Sequence, residues 1–327
     1  MNSQSRKLIA FAALTGLGCI ACSALAQNYP SKAIRMVLPY GTGGNTDVVA
    51  RILAPTMSSA LGQQVVVENH GGAAGIPGMM VVAKANPDGY TVLFAASNLA
   101  ANPILFRKLP YDAEKDFAPV SLVAIVPTVL VVPPSLPVHS VKELIALAKA
   151  KPGAMNYGSA GNGSGNHLTT EVFLNAAGGL KAEHVPYKAA SASMTDLAGG
   201  RLTFVFATIP SAKGFIDSGR LRALGVSSIR RSAALPNVPT VAESGVPGFD
   251  INTWLGILVP TGTPAAIISQ LNAATIKALQ NPEARDLLKT LGAEAVGSTP
   301  AQLGTHLKSE IAMWIKLAQK VKFEVAE

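Results

Sequence analysis

Two glycine-rich segments carry the residue types that could bind an anion through the main chain. The first is Pro39-Tyr40-Gly41-Thr42-Gly43-Gly44-Asn45-Thr46-Asp47, and the second is Gly158-Ser159-Ala160-Gly161-Asn162-Gly163-Ser164-Gly165-Asn166-His167. Glycine lets backbone N–H groups approach a ligand closely, and the first turn of a helix offers unpaired N–H groups with partial positive charge. Each segment lies between a short apolar run and an amphipathic one, so each reads as a strand-to-helix turn able to hold an oxyanion. The alternative for either segment alone is a tight turn with no ligand. Two such turns suggest two lobes closing on one anionic ligand.

The first candidate cradle is Gly41, Gly43 and Gly44, with Tyr40 and Thr42 beside them. Asp47 falls in the first turn of the next helix, where the dipole favours a carboxylate, and its expected role is to cap and hold the loop. Ser159, Ala160, Gly161, Gly163 and Ser164 supply amides and hydroxyls to the second cradle. His167 reads as a helix-start histidine packing locally, since no second histidine or carboxylate accompanies it at metal-ligand spacing. Ser97 and Asn98 end one strand and Thr208 another, where the distal part of a ligand would lie. Four or five desolvated hydrogen bonds to a charged acceptor, at roughly 1.5–3 kcal/mol each, suffice for micromolar binding after association costs.

Other chemistries lack their residues. Neither turn completes a dinucleotide fingerprint with its third glycine, and neither ends in the Lys-Ser or Lys-Thr of a P-loop. Gly161-Asn162-Gly163-Ser164-Gly165 has its serine one place away from a nucleophile elbow, which leaves a secreted hydrolase or isomerase using Asp47 or His167 as the weaker rival. His70, His139, His167, His184 and His306 are widely spaced, so no metal is expected and no cofactor either.

Near the start of the 327-residue chain, Arg6 and Lys7 precede an apolar run over 8–22 and Ala24-Leu25-Ala26, the pattern of a secretory signal peptide cleaved after Ala26. Both cysteines, Cys19 and Cys22, fall inside it, so no disulfide or thiol chemistry is expected of the mature protein. The apolar run 120–132 is broken by Pro127 and too short to span a bilayer. The formal charge is +8, without clustered lysine and arginine or interleaved aromatics, which argues against nucleic acid as a partner and leaves at most steering of small anions.

The elements that must position these residues follow from apolar periodicity. Strand patterns at 34–38, 65–68, 91–95, 128–132, 155–157, 202–207 and 221–227 alternate with helical ones. Val48, Ile52, Leu53, Met57 and Leu61 recur at helical intervals after the first turn, as do Leu168, Val172, Phe173 and Ala176 after the second. Thr263-Pro264 and Thr299-Pro300 each read as an N-cap followed by proline at the first helical position. An α/β protein with mostly parallel sheets flanked by helices is expected. About 300 mature residues exceed what one core usually fills, so two lobes are predicted, with the cleft between them. The favoured crossings are 122–127 and 252–260, the latter containing Trp254. They define a leader over 1–26, a discontinuous lobe 1 over 27–124 plus 253–327, and lobe 2 over 125–252.

Strings along nearly the whole mature chain resemble the Bug family, the TctC-like extracytoplasmic solute receptors of tripartite tricarboxylate transporters. They include Gly43-Gly44-x-x-Asp47 with Arg51, Val67-Glu68-Asn69, Asn86-Pro87-Asp88-Gly89-Tyr90 and Leu109-Pro110-Tyr111-Asp112. Further strings are Tyr157-Gly158-Ser159 through His167-Leu168, Val185-Pro186-Tyr187-Lys188, Leu235-Pro236-Asn237-Val238-Pro239-Thr240, Trp254-x-Gly256 and Pro260-x-Gly262-Thr263-Pro264. The resemblance implies a periplasmic, type II-like two-lobed binding protein, monomeric and non-catalytic. In it, backbone amides and ordered water from both glycine turns hold one carboxylate of a small solute while the other end varies. A di- or tricarboxylate, an amino acid or an aromatic acid would fit that description. The implied partner is the membrane permease of a tripartite tricarboxylate transporter, with docking on a sensor kinase as the alternative. Departures from the family pattern fall at Tyr40, Gly41 and Thr42, at His70-Gly71-Gly72 and at Ala189; they bear on which ligand is taken.

Overall fold

The computed structural model describes residues 29–187 and 190–319. The assigned leader lies outside these residues, as do Lys188 and Ala189. The chain first runs β1 (Ile34–Leu38), α1 (Asn45–Leu61), β2 (Val65–Asn69), α2 (Ile76–Ala83), β3 (Thr91–Ala96), α3 (Asn98–Leu105) and β4 (Phe117–Val126). It continues through β5 (Thr128–Val132), α4 (Val141–Ala150), β6 (Met155–Ser159), α5 (Gly165–Ala176), β7 (Ala182–Pro186), α6 (Ala190–Ala198), β8 (Val205–Thr208), α7 (Ile209–Asp217) and β9 (Arg222–Val226). Last come β10 (Thr253–Pro260), α8 (Ala265–Gln280), α9 (Pro282–Thr290), β11 (Glu294–Ala295) and α10 (Pro300–Ala318).

Six strands form one sheet in the order β11-β4-β10-β3-β1-β2. Its four inner strands are largely buried on both faces, so adjacent residues feed opposite cores, the signature of a sheet covered by helices on each side. Ile34, Met36, Phe94 and Ile257 meet α1, α8 and α9, whereas Val37, Leu93, Trp254 and Leu258 meet α2, α3 and α10. Each fully buried Leu, Ile, Met or Phe in these layers contributes about 1.5–3 kcal/mol relative to exposure.

The remaining strands form the three-stranded sheet β8-β5-β9 and the parallel pair β6-β7, linked by a bridge between Tyr157 and Phe204. Helices again cover both faces: Phe173, Phe204, Phe206 and Phe249 pack in one core, and Met194, Leu197, Val205 and Ile209 in the other.

The α/β architecture in two bodies agrees with expectation, but the sheets are mixed rather than mostly parallel. Among the described residues, parallel ladders between strands join β1 with β2 and β3, and β6 with β7, beside two isolated parallel bridges. A parallel neighbour needs a crossover, usually a helix. β10 instead returns from the second sheet and enters between β3 and β4 from the opposite end, antiparallel to both. β5 is likewise antiparallel to β8 and β9. The 120–132 run divides at Pro127 into β4 and β5, since proline breaks the ladder there. Thr299 caps α10 in a full capping box. Thr263 falls one residue short of capping α8, because its hydroxyl donates to the Pro260 carbonyl at 2.7 Å.

Candidate functional site

Both glycine turns lie at the carboxyl ends of strands, between β1 and α1 and between β6 and α5, where open α/β sheets place ligands. Two further strand-to-helix junctions carry the other candidates: β3 to α3 with Ser97 and Asn98, and β8 to α7 with Thr208.

In the first turn Asp47 acts inside the loop, as its position led us to expect. Its carboxylate accepts from the Gly43 N–H at 2.9 Å, from Arg51 Nε at 2.9 Å and from Asn69 Nδ2 at 3.0 Å. Burial pushes this carboxyl up, but those three donors outweigh it and hold Asp47 below the usual aspartate range. Arg51 is also bonded to Asn69 Oδ1, so this cation is tied to the loop. Gly43 adopts φ +78, a left-handed turn available to glycine at little cost. At the start of α1 no side chain caps the helix, whose N-cap is Gly44. The exposed run Gly41 to Gly44 therefore leads into helix N–H groups that no side-chain cap engages.

Tyr40 is half-buried, and its hydroxyl is engaged by protein. It accepts from the Ala96 N–H at 2.9 Å and donates to Asn98 Oδ1, while burial raises it well above an ordinary tyrosine. Asn98 Nδ2 donates to the Ala74 carbonyl at 2.7 Å, and Asn102 Nδ2 to the same carbonyl at 3.2 Å. These bonds hold Ala73 and Ala74, two non-glycine residues with φ of 42° and 52°, against the first turn. Ser97 Oγ accepts from the Trp254 N–H at 2.9 Å, which ties the start of α3 to β10.

The second turn is braced by histidines. Gly163 N–H donates to His167 Nδ1 at 3.2 Å, and Gly161 N–H to Ser159 Oγ at 3.0 Å. Ser159 Oγ also lies 2.7 Å from His184 Nε2, and Ser164 Oγ donates to the Gly161 carbonyl at 2.7 Å. His167 and His184 stack face to face with centroids 4.2 Å apart, and Tyr157 stacks on His184 in turn. Burial first, and the neighbouring His184 second, lower His167 to about 4, so the ring is neutral near neutral pH. Ser164 is the N-cap of α5, with its hydroxyl 3.5 Å from the His167 N–H.

The two turns share one helix. Tyr40 holds α3 at its start through Asn98, and at its end a Cβ on Gly163 would fall 2.9 Å from Leu105 Cδ1. Asn98 and Leu105 stand seven positions apart on this helix, an axial rise of about 10 Å. A Cβ on Gly165 would also meet Thr253 Oγ1 at 2.7 Å, so the second turn packs on the start of β10 as well. Thr208 is half-buried at the N-cap of α7 and donates to Ser211 Oγ at 2.9 Å.

Four of the candidate amides are thus bonded within their own loops: those of Gly43, Gly161 and Gly163, and that of Ser164, which donates to the Gly161 carbonyl at 3.2 Å. Residues that sequence reasoning did not assign to the site include His184, Asn69 and the Ala73–Ala74 pair. His184 lies on β7, far from His167 in sequence, and only the parallel pairing of β6 with β7 brings it alongside. Alanine carries no left-handed preference, so nothing in its type announced the strained loop; the glycines at 71, 72 and 75 were the available signal. No group of three or more metal-ligating side chains occurs among the described residues, and no helix among them is long and apolar enough to cross a membrane.

Residues 49–323 match the family model described as tripartite tricarboxylate transporter family receptor. The periplasmic binding protein BugD is similar in structure, with a TM-score of 0.80 at 33% identity over 91% of this chain and 100% of that one. An R. palustris protein solved with adipate gives a TM-score of 0.80 at 36% identity, over 89% of this chain and 97% of that one. MatC of Rhodopseudomonas palustris, solved with bound malate, gives 0.78 at 30% identity, over 88% and 99%.

Proposed function

The chain belongs to the tripartite tricarboxylate transporter receptor family, and from that premise we propose that it captures a small carboxylate between two lobes and delivers it to the family's membrane permease. The observation that carries this reading is the exposed Gly41–Gly44 turn running into the uncapped start of α1, with Arg51 held away by Asp47 and Asn69. A carboxylate there would be met by peptide N–H groups and the helix dipole rather than by a guanidinium. Gly41, Thr42 and Gly44 are its proposed main-chain contacts on one side, and Ala160 on the other. Tyr40, Asp47, Gly43, Ser159, Gly161, Gly163, Ser164 and His167 hold those contacts in place, while Ser97, Asn98 and Thr208 border the space for the rest of the ligand.

In this reading lobe 1 comprises residues 27–124 plus 253–327 and lobe 2 comprises 125–252, with closure about the crossings at Pro127 and Asn252. Binding is coupled to closure because a single carboxylate can reach both turns only when they approach each other. The protein acts in the periplasm after removal of a leader over 1–26, and it performs no chemistry on the solute. Malate and adipate, bound by two relatives, fix the first probes: a hydroxy-dicarboxylate and a longer dicarboxylate.

Calorimetry and thermal shift against di- and tricarboxylates, amino acids, aromatic acids and neutral analogues test this. At least one carboxylate is expected to raise the melting temperature and bind with unit stoichiometry, unchanged on recovery. Silence across all carboxylates, with tight binding of a neutral analogue, would overturn it.

A further inference from the structure

The second glycine turn is held from behind by a row of three rings. Tyr157 on β6, His184 on β7 and His167 on α5 lie nearly parallel, with His184 in the middle, 4.9 Å from the tyrosine ring and 4.2 Å from the other imidazole. Both ends of the row are fastened to α5. His167 belongs to that helix, and the Tyr157 hydroxyl donates to Glu171, four residues further along and so on the same helix face. Packing on both sides fixes the plane of the central ring, and with it the direction of its ring nitrogens.

The available protons assign the roles around the turn. Ser159 is fully buried, and its hydroxyl has one proton to give. That oxygen accepts the Gly161 N–H at 3.0 Å and has two acceptors within reach, the Gly161 carbonyl at 3.1 Å and His184 Nε2 at 2.7 Å. The carbonyl already takes the Ser164 hydroxyl at 2.7 Å and the Ser164 N–H at 3.2 Å, which use both of its lone pairs. The Ser159 proton therefore goes to His184 Nε2, and a neutral His184 carries its own proton on Nδ1. His167 is the reverse tautomer, because its Nδ1 accepts the Gly163 N–H at 3.2 Å. Two imidazole lone pairs thus draw two left-handed glycines of the turn inward, Gly163 directly and Gly161 through the serine. The Ala160 N–H donates to no acceptor among the described residues.

We propose that His184 is a positioning residue for carboxylate binding: it takes the Ser159 proton, so that the serine oxygen holds the Gly161 N–H inward and the neighbouring Ala160 N–H is left to face the ligand. This rests on the reading of the glycine turns given above. His184 touches no ligand itself and acts through Ser159 and the ring stack.

Two measurements on the full chain test it. Imidazole nitrogen NMR of the ligand-free protein reads the tautomers, with His184 expected to be protonated on Nδ1 and His167 on Nε2. A neutral His184 with its proton on Nε2 would overturn the proposal. Calorimetry with malate and adipate then compares variants. His184→Ala is expected to weaken binding about tenfold, whereas His184→Gln, whose amide oxygen can stand near the place of Nε2, stays within about threefold of the wild type. A ring that only fills space would be missed as much in Gln as in Ala. Ser159→Ala removes the relay, leaves the stack and is expected to match His184→Ala, which keeps the test decisive should the latter fail to fold. Equal losses in His184→Gln and His184→Ala, or wild-type affinity in either alanine variant, would overturn the proposal. Silence of the wild type toward both acids would count against the reading of the turns, and the tautomers would still decide the role of His184.

Discussion

His167 Nδ1 accepts the N–H of Gly163 at 3.2 Å, so a histidine ring fixes the left-handed glycine at the tip of the second turn. Only a ring unprotonated at Nδ1 can do this, and burial keeps His167 neutral down to about pH 4. Between there and the ordinary value of 6.5 the unfolded chain binds a proton that the folded chain refuses, so stability falls as pH drops through this window and is complete above it. The contribution is up to about 3 kcal/mol. Glu310 acts in the opposite sense, stabilising below its ordinary 4.5 and losing that contribution as pH rises to about 6. The difference between the wild type and His167→Asn isolates the histidine, since Asn can still present an acceptor to Gly163. Denaturant midpoints from pH 4 to 7 should show a steeper acid loss in the wild type; parallel curves would refute the assignment.

Gly163→Ala meets both a φ of +76 and the Leu105 side chain. We expect a loss of about 1–2 kcal/mol in urea denaturation, with weaker carboxylate binding.

Gly41→Ala is the complementary test. Gly41 is outside the left-handed region and a Cβ there meets nothing within 4 Å. Stability should stay within about 0.5 kcal/mol of the wild type while carboxylate affinity falls about tenfold. Unchanged affinity in calorimetry would remove Gly41 from the site.

Asp47→Ala removes the acceptor for the Gly43 amide, Asn69 and Arg51 together. A stability loss of about 2–4 kcal/mol is expected, because all three bonds end on one charged, buried carboxylate. Asp47→Asn, which keeps the shape, should lose about half as much. A neutral result for both in thermal denaturation would show that the loop holds itself.

Tyr40→Phe leaves the Ala96 N–H without its acceptor and Asn98 Oδ1 without its donor. A loss of about 1–3 kcal/mol in denaturation is expected, with faster amide exchange at Ala74 and Ala96.

Much of this was legible in the chain. The apolar alternation of 34–38 and 91–95 marks strands whatever surrounds them, and glycine at 43, 161 and 163 marks turns because few other residues tolerate those left-handed backbones. The direction of β10 was not legible. A strand has the same pattern read either way, and only the route from Ile251 into the slot between β3 and β4 sets its sense. Nor did spacing reveal that Gly43, Gly161 and Gly163 donate inside their own loops, since an amide's partner depends on where Asp47, Ser159 and His167 are turned. His184 was hidden for a related reason: stacking on His167 is a product of parallel register, in which Tyr157 sits opposite His184.

The pairing of β4 with β10 has a mechanical consequence. Hydrogen bonds lace the two from Thr253 opposite Val126 to Pro260 opposite Phe117, so both connections leave the large sheet side by side, as one ribbon. A ribbon resists sliding and splaying far better than bending across its width. For the closure proposed above, such a seam would leave the two bodies one soft rotation, like the covers of a book on its spine.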